Sequence, residues 1–344
     1  SYILIDGLST LIVQCGSTFI IAKRLHVNVS DGQGCCDLKV DNIYGGGKNA
    51  SMEGGTSIVL GCQPNTWIED IYAGSREADV DGDVELTITS GKFKRVFGGN
   101  KTSGKLKGSI KVNIEETGNC GTPIIIGELY AGGNEADYSI YGYKDDGTPM
   151  TADELRTRLT TENPGKTTAQ IEELFQAAKK NEPQLNVRAF TSIGAIYGGG
   201  YSAKMYADPT VSINVVKGSH YNDDALEAGS TPALAGITPA TTLPYPAHAK
   251  GAVGAIGNVF GGGNLATVYG STTVNIGTET SVGFKTEPIH LRTNSETPLT
   301  KNTETGLYDI TVEGANITGN VYGGGRLADV TGNTNVNICA KYNT

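Results

Sequence analysis

Charged residues are scarce in this chain and are not clustered. They make up 18% of the 344 residues, and the formal net charge is −9. Binding to nucleic acid requires clustered lysine and arginine, so nucleic acid is not an expected partner. No apolar run approaches the roughly 18 residues that a membrane-spanning helix needs. The sequence therefore predicts no membrane-spanning segment.

The chain also lacks the ligand spacings of known metal sites. Six cysteines occur without a Cys-x-x-Cys pair, namely Cys15, Cys35, Cys36, Cys62, Cys120 and Cys339. We expect the cysteines to be small buried or half-buried side chains at strand ends. A disulfide from Cys35 or Cys36 to Cys15 or Cys62 stays an open alternative. His220, His248 and His290 fall in loops and are expected to be exposed. No metal or cofactor is predicted.

Glycine, in contrast, is abundant, with 48 residues, and much of it lies in a repeat. An aliphatic residue, an aromatic residue and a small residue recur seven times: Ile43-Tyr44-Gly45, Ile71-Tyr72-Ala73, Val96-Phe97-Gly98, Leu129-Tyr130-Ala131, Ile196-Tyr197-Gly198, Val259-Phe260-Gly261 and Val321-Tyr322-Gly323. The glycines are expected at turns, where positive φ suits them. Such self-similarity is typical of a repeat architecture.

Each repeat holds three short segments with the alternation typical of strands. Three strands in about 25 residues predict one coil of a parallel β-helix. In that fold each coil buries its apolar face by stacking on its neighbours. The fold predicted is all-β: a right-handed single-stranded parallel β-helix of about seven to nine coils, with three strands per coil. Residues 1–344 are read as one domain, with 1–42 as an N-terminal coil or cap.

Three insertions interrupt the coils. Residues 139–184 contain two capping boxes, at Thr151 and Thr167, and are predicted to form a helical hairpin. Residues 218–253 and 278–308 are predicted loop insertions. Both follow a third strand, so we expect them to stack beside one another and to wall a trough.

The third strand of each coil supplies the candidate floor of that trough. The residue between two inward aliphatic residues should face outward, which gives the column Val59, Thr87, Asn113, Arg188, Asn214, Asn275 and Asn337. A second outward column lies two residues earlier: Ser57, Glu85, Lys111, Asn186, Ser212, Thr273 and Asn335. The candidate binding residues from these columns are Asn113, Arg188, Asn214, Asn275 and Asn337.

The repeated aromatic residues form another predicted column. Alternation turns them away from the core, and five of the seven are tyrosine, which suits a half-exposed position. A structural stack is favoured, and sugar binding stays open, with Tyr130 and Tyr197 as candidate residues.

Catalysis is the less favoured interpretation. Glu85, Lys111 and Arg188 are single charges among Ser, Thr and Asn, without the paired carboxylates that glycoside hydrolysis uses. Aspartate at 79, 137 and 329 would suit a calcium ladder, but Lys204 occupies the same position and would repel a cation. The alternative kept is a polysaccharide lyase or glycoside hydrolase with a site in the trough.

The pattern Val-Tyr-Gly-Gly-Gly-x-x-Ala-x-Val-x-Gly-x-Thr-x-Val-x-Ile, matched best by Val321 to Ile338, resembles repeats of secreted and cell-surface proteins of gut anaerobic bacteria. The resemblance implies an extracellular or cell-surface location and a role in adhesion or as a stalk. We therefore expect a noncatalytic structural or adhesive module that contacts a glycan or a surface protein. The C-terminal coil has no evident cap, so an end-to-end or downstream-domain contact is expected there.

Overall fold

The computed structural model describes residues 2–4, 8–13, 19–21, 24–29, 42–61, 66–116, 122–179, 181–216, 225–233, 241–285 and 300–339. Strands dominate, and most of them belong to two parallel sheets. The prediction of a mostly-β chain with parallel strands is confirmed.

The first sheet, here the Asn sheet, has nine parallel strands. In order they are β2 (Leu8–Val13), β4 (Arg24–Val29), β6 (Thr56–Leu60), β8 (Val84–Ile88), β10 (Ile110–Glu115), β13 (Gln184–Ala189), β16 (Thr210–Ile213), β21 (Thr272–Ile276) and β26 (Thr334–Ile338).

The second sheet, here the Tyr sheet, carries the repeated aromatic residues. Its strands are β5 (Asn42–Tyr44), β7 (Trp67–Tyr72), β9 (Lys92–Phe97), β11 (Ile125–Tyr130), β14 (Ser192–Tyr197) and β20 (Ala255–Phe260), with β24 (Asn316–Ile317) and β25 (Val321–Tyr322) both on β20. From β5 onward the chain visits the two sheets in turn. Aliphatic residues of both sheets, such as Ile71 and Leu86, pack into one apolar cluster.

The remaining strands form small sheets. They are the parallel pairs β1 (Tyr2–Leu4) with β3 (Phe19–Ile21) and β12 (Tyr138–Ser139) with β15 (Met205–Tyr206), the antiparallel set β17 (Val215–Val216), β22 (Ser281–Phe284) and β23 (Tyr308–Gly314), and the antiparallel pair β18 (Gly229–Ser230) with β19 (Pro244–Tyr245).

Two helices, α1 (Ala152–Glu162) and α2 (Thr168–Lys179), lie between β12 and β13. At the start of α1 the backbone N–H of Glu154 donates to Thr151 Oγ1 and the N–H of Thr151 donates to Glu154 Oε2, at 3.3 and 2.8 Å. Thr167 and Gln170 exchange the same bonds before α2. The apolar side chains Leu155 and Phe175 are buried in the common core. In the described part of the chain no helix is long and apolar enough to cross a bilayer.

The pairing of the Asn sheet corrects both predicted columns. Asn113 is level with Asn186 and Asn275 with Ser212, where Arg188 and Asn214 were expected. In the second column the level residues are Gln184 and Thr210, not Asn186 and Ser212. A shift of two residues keeps every aliphatic side chain on the same face, so alternation alone does not detect it.

The glycines after the aromatic residues correct the expectation of positive φ. Glycines with positive φ occur at other places, such as Gly91 and Gly104. In the described triplets the reason for glycine is close contact: a Cβ on Gly198 would lie 2.1 Å from the carbonyl oxygen of Gly261 in the next repeat. Glycine there allows neighbouring strands to keep their spacing.

In the part of the chain that the structure describes, the two loop insertions pack on different sheets. β19 of the first loop packs on β11 and β14 of the Tyr sheet, and Ser192 Oγ donates to the Pro246 carbonyl at 2.8 Å. β22 of the second loop pairs with β23, which begins at the last residue of that loop, and β23 pairs with β17, which follows the Asn-sheet strand β16; Phe284 and Val312 are buried between them. The sequence places both loops after an Asn-sheet strand, but the first one crosses to the opposite sheet.

His248 is buried at 1% exposure, and its Nε2 lies 2.9 Å from the Ala252 carbonyl, so the expected exposed loop histidine is wrong there. Cys339 is free and exposed, contrary to the expectation for cysteine. His220, His290 and the other five cysteines lie outside the described residues.

Candidate binding site

The aromatic residues of the Tyr sheet form a continuous ladder. Consecutive rings from Tyr44 to Tyr322 have centroids 4.7–5.2 Å apart and are within 9° of parallel. Tyr72, Phe97 and Tyr130 are fully buried, so the expected half-exposed position is wrong for the middle of the ladder. Each ring from Tyr72 to Phe260 is covered on both faces by its neighbours, and these five rings form an apolar cluster separate from the main core.

A second column of side chains runs beside the middle of this ladder, two residues before each aromatic residue from Tyr72 to Phe260. Strand pairing makes its members level with one another: Asp70, Arg95, Glu128, Ala195 and Asn258. We call this set the site column. Ala195 is the smallest member and stands between Glu128 and Asn258. Its short side chain leaves a gap in an otherwise polar column.

A cavity of about 390 Å³ lies over this gap. Its floor includes Gly127, Gly194 and Ala195, and one wall is residues 241–244 of the first loop insertion. The other lining residues are Arg95, Glu128, Tyr197, Tyr201, Asn258, Phe260, Asn264 and Arg326. Carboxylate, amide, hydroxyl and guanidinium groups thus converge on one concave space bordered by aromatic rings, which is typical of a ligand site.

The first loop insertion is fixed to the sheet by direct contacts. Lys94 Nζ of β9 donates to the Ala233 carbonyl of the loop at 2.9 Å, and within the loop the Leu243 N–H donates to Thr231 Oγ1 at 3.1 Å. A Cβ on Gly194 would lie 2.0 Å from the Pro244 carbonyl oxygen. Glycine at position 194 therefore allows residues 241–244, the wall of the cavity, to lie close against the sheet that forms its floor.

One arginine of the site column is already neutralised. Arg95 Nε and Nη2 donate to the two carboxylate oxygens of Asp70 at 2.8 and 2.6 Å, and both residues are buried. The hydroxyl of Tyr72 also donates to Asp70, at 3.0 Å. Two parallel charge-assisted bonds fix the guanidinium plane at the edge of the cavity.

Glu128 is held by a chain of hydrogen bonds. Arg326 Nη1 donates to Asn264 Oδ1 at 3.2 Å, Asn264 Nδ2 donates to Tyr130 Oη at 2.9 Å, and Tyr130 Oη donates to Glu128 Oε2 at 2.6 Å. Burial raises the pKa of Glu128, against the opposing effects of the Tyr130 hydrogen bond and the charges of Arg95 and Arg326. The chain fixes the carboxylate and uses one of its two oxygens.

The candidate residues of the Asn sheet are not brought to this cavity. Asn113 bonds to Glu85, Thr87 and Asn186, at 3.0–3.3 Å. The Asn337 amide donates to Asn275 Oδ1 at 2.8 Å. Their amides bond within the sheet, in the manner of a structural ladder.

Arg188 and Asn214 contact the second loop insertion instead. Arg188 Nη1 donates to Glu115 at 2.6 Å and to the Gly283 carbonyl at 3.2 Å. Asn214 Nδ2 donates to Glu279 Oε1 at 2.9 Å. These contacts hold the insertion beside the carboxyl ends of β13 and β16.

Of the seven candidates, Tyr197 lines the cavity and Tyr130 reaches it through its hydroxyl bond to Glu128. Sequence reasoning missed Glu128, Asn258 and Arg326. Alternation does place Glu128 and Asn258 on the face of the ladder, two residues before an aromatic residue. The wall contributed by residues 241–244 had no signal in the sequence.

The described residues contain no cluster of His, Cys, Asp and Glu that could hold a metal ion. No family model matches the sequence, and the comparisons with curated proteins and with solved structures give no match. The functional argument therefore depends on the chemistry of the cavity.

Proposed function

We propose that the protein is a noncatalytic, exported or cell-surface β-solenoid that serves as a structural or adhesive module and binds a glycan in the cavity over Ala195. The single observation that carries the proposal is this polar cavity of about 390 Å³ beside the stacked aromatic ladder. Sugars present both hydroxyl groups and apolar ring faces. Glu128 and Asn258 suit the hydroxyl groups, and the half-buried ring of Tyr201 suits the apolar ring faces.

The solenoid part of the proposal is a right-handed parallel β-helix. It is supported by strands that visit two parallel sheets in turn and share one apolar core. Parallel crossovers are right-handed in nearly all proteins, which favours that hand. Stacked rings and hydrogen-bonded asparagines along such a rod would stiffen it, as a stalk or adhesin requires.

The proposal places the protein outside the cell or on the cell surface, in contact with a surface protein as well as a glycan. Its support is the resemblance of the Val-Tyr-Gly-Gly-Gly repeats to surface proteins of gut anaerobic bacteria. A rigid scaffold with its ligand site beside a loop insertion suits that role, since the insertion can vary while the coils stay constant.

Catalysis on a polysaccharide is the second candidate, because Glu128 is a half-buried carboxyl group whose pKa is raised by desolvation. Glycoside hydrolysis uses two carboxyl groups on either side of the scissile bond. Asp70, the other carboxylate of the site column, lies beyond Arg95 and is bound by it through two hydrogen bonds. A lone Glu128 supports binding better than hydrolysis.

Replacing Ala195 with leucine tests the site. The larger side chain would fill part of the cavity, so binding on a glycan array is expected to fall at least about tenfold, with thermal unfolding little changed. Asn275→Ala in the Asn sheet is the matched control and should bind normally.

The opposite pattern, with binding lost in Asn275→Ala and kept in Ala195→Leu, would move the site to the Asn sheet. Turnover of a polysaccharide, detected as reducing ends or unsaturated products, would replace the binding function by catalysis. No binding across the array would overturn the proposed function.

A further inference from the structure

The charges that face the cavity cancel one another. Arg95 is neutralised by Asp70 through a buried two-point ion pair, with 9% and 5% of the two side chains exposed. Among the lining residues this leaves one carboxylate, Glu128, and one unpaired guanidinium, Arg326, with charges of opposite sign. A ligand that enters this space meets hydrogen-bond donors on Arg326 and acceptors on Glu128, and the two charges sum to zero.

Glu128 is the anionic group of the cavity lining. One oxygen, Oε2, receives the Tyr130 hydroxyl, and within the described residues no hydrogen bond is made to Oε1. Burial already disfavours the ionised form of this carboxyl and raises its pKa. A second carboxylate beside it would add repulsion between like charges in a space of low dielectric.

Arg326 supplies donors at the other end of the hydrogen-bond chain that ends on Glu128. Its Nη1 is bonded to Asn264 Oδ1, and the residue itself is exposed, so its other N–H groups face the cavity mouth or solvent. The Asn258 side chain, half-buried, lies next to Ala195 in the site column. Neighbouring hydroxyls on one sugar ring can donate to Glu128 and accept from Arg326 or Asn258.

The shape of the cavity limits how much of a glycan it holds. It is closed by Thr241, Thr242, Leu243 and Pro244 on one wall and by the sheet below. A volume of about 390 Å³ is near the lower end of ligand pockets, which run from roughly 300 to 1,000 Å³. This suits the end of an oligosaccharide better than a long chain lying across the sheet.

We infer that the cavity selects an uncharged terminal sugar, whose hydroxyls donate to Glu128 and accept from Arg326 and Asn258, and that it discriminates against sugars carrying a carboxylate. This inference rests on the proposed glycan binding. It adds the ligand class and assigns Glu128 as the residue that sets it.

The test compares matched ligands by titration calorimetry on the full chain. Methyl glycosides of neutral hexoses are paired with the uronates of the same ring configuration, which differ only in the carboxylate at C6. The neutral member of at least one pair is expected to bind about tenfold or more tightly than its uronate. Tighter binding of the uronates would overturn the inference while leaving glycan binding in place.

Glu128→Gln separates the role of this charge from a structural role. Gln retains an oxygen that can accept the Tyr130 hydroxyl, so the fold should persist, but it loses the charge-assisted bond to the sugar. We expect about tenfold weaker binding of the neutral glycoside and a smaller preference over the uronate. An unchanged preference would show that Glu128 does not set the ligand class.

Arg326→Gln is the second variant, because this side chain is exposed and its replacement leaves the core intact. It should weaken the neutral ligand while leaving the neutral-over-uronate preference in place or increasing it. Loss of that preference in Arg326→Gln would assign selection to Arg326 and overturn the role of Glu128. If glycans bind on the array but none of the small glycosides binds, the terminal-sugar inference is wrong and the proposed function stands.

Discussion

Gly198 lies against the backbone of the next repeat, with the Gly261 carbonyl where its Cβ would be. The same contact recurs along the chain: a Cβ on Gly98 would meet the Ala131 carbonyl at 2.3 Å. Sequence reasoning identified these glycines as repeated but assigned them to positive φ. Repetition is visible in a sequence, whereas the distance to a strand 63 residues later is a tertiary property.

Substitution at Gly198 is expected to weaken the fold. Gly198→Ala would force its methyl group against the Gly261 carbonyl and push two strands apart, so the free energy of unfolding should fall by about 1–3 kcal/mol. Chemical denaturation measures the loss. Gly165→Ala is the control, because a Cβ there has no heavy atom within 4 Å. Equal stability of the two variants would contradict close contact as the reason for the triplets.

Between β12 and β13, the helical hairpin was predicted from its caps and formed as expected. Thr151 with Glu154 and Thr167 with Gln170 are local signals, and the bonds they imply are present. The sequence did not indicate how the end of α2 contacts the segment before β16. There Lys179 forms an ion pair with Asp208, and the Asp208 N–H donates to Glu182 Oε2 at 2.7 Å.

Burial raises the pKa of Glu182 to about 7, with the charge of Asp208 adding to it and Lys179 opposing it. Tyr138 and Tyr141 also face this group. The folded state then holds a proton that the unfolded chain releases near its ordinary value of 4.5. The contribution of protonated Glu182 to the stability of the fold is present below pH 4.5 and is lost as the pH rises towards 7.

Glu182→Gln removes this titration while keeping an acceptor for the Asp208 N–H. The variant should gain stability relative to the parent as pH rises from about 4.5 to 7, by roughly 1–3 kcal/mol, since a tenfold difference in proton affinity is worth about 1.4 kcal/mol. Urea unfolding at a series of pH values measures the difference. A constant difference across that range would show that Glu182 titrates normally.

At the scale of the whole molecule, no described strand covers the row at β25 and β26. Leu327, Val336 and Ile338 are 68%, 40% and 66% exposed, whereas Val274 in the preceding row is fully buried. A Cβ on Gly324 would have no heavy atom within 4 Å. In the preceding repeat, a Cβ on the equivalent Gly262 would lie 2.7 Å from the backbone nitrogen of Gly325. Residues 330–339 carry no charge, and charge is the usual protection of a sheet edge against pairing.

We therefore expect copies of the chain to associate through β26. Ile338→Lys places a charge on the exposed edge and should weaken self-association about tenfold or more, without loss of thermal stability. Sedimentation equilibrium over a wide concentration range measures it. Ala177→Lys, on the exposed side of α2, is the charge-matched control. A parent chain that stays monomeric at every concentration would contradict the expectation.

The sequence by itself determined the repeat, the strand character, the inward aliphatic residues, the aromatic column and the two capped helices, because each depends on spacing along the chain. Only the tertiary structure decided the register of β13 and β16, the burial of the aromatic rings and the path of the first loop insertion to the Tyr sheet. A two-residue slip preserves alternation, and a ring is buried by neighbours that are distant in sequence. The cavity over Ala195 combines β11, β14, β20 and residues 241–244, so it exists only once these segments are packed together.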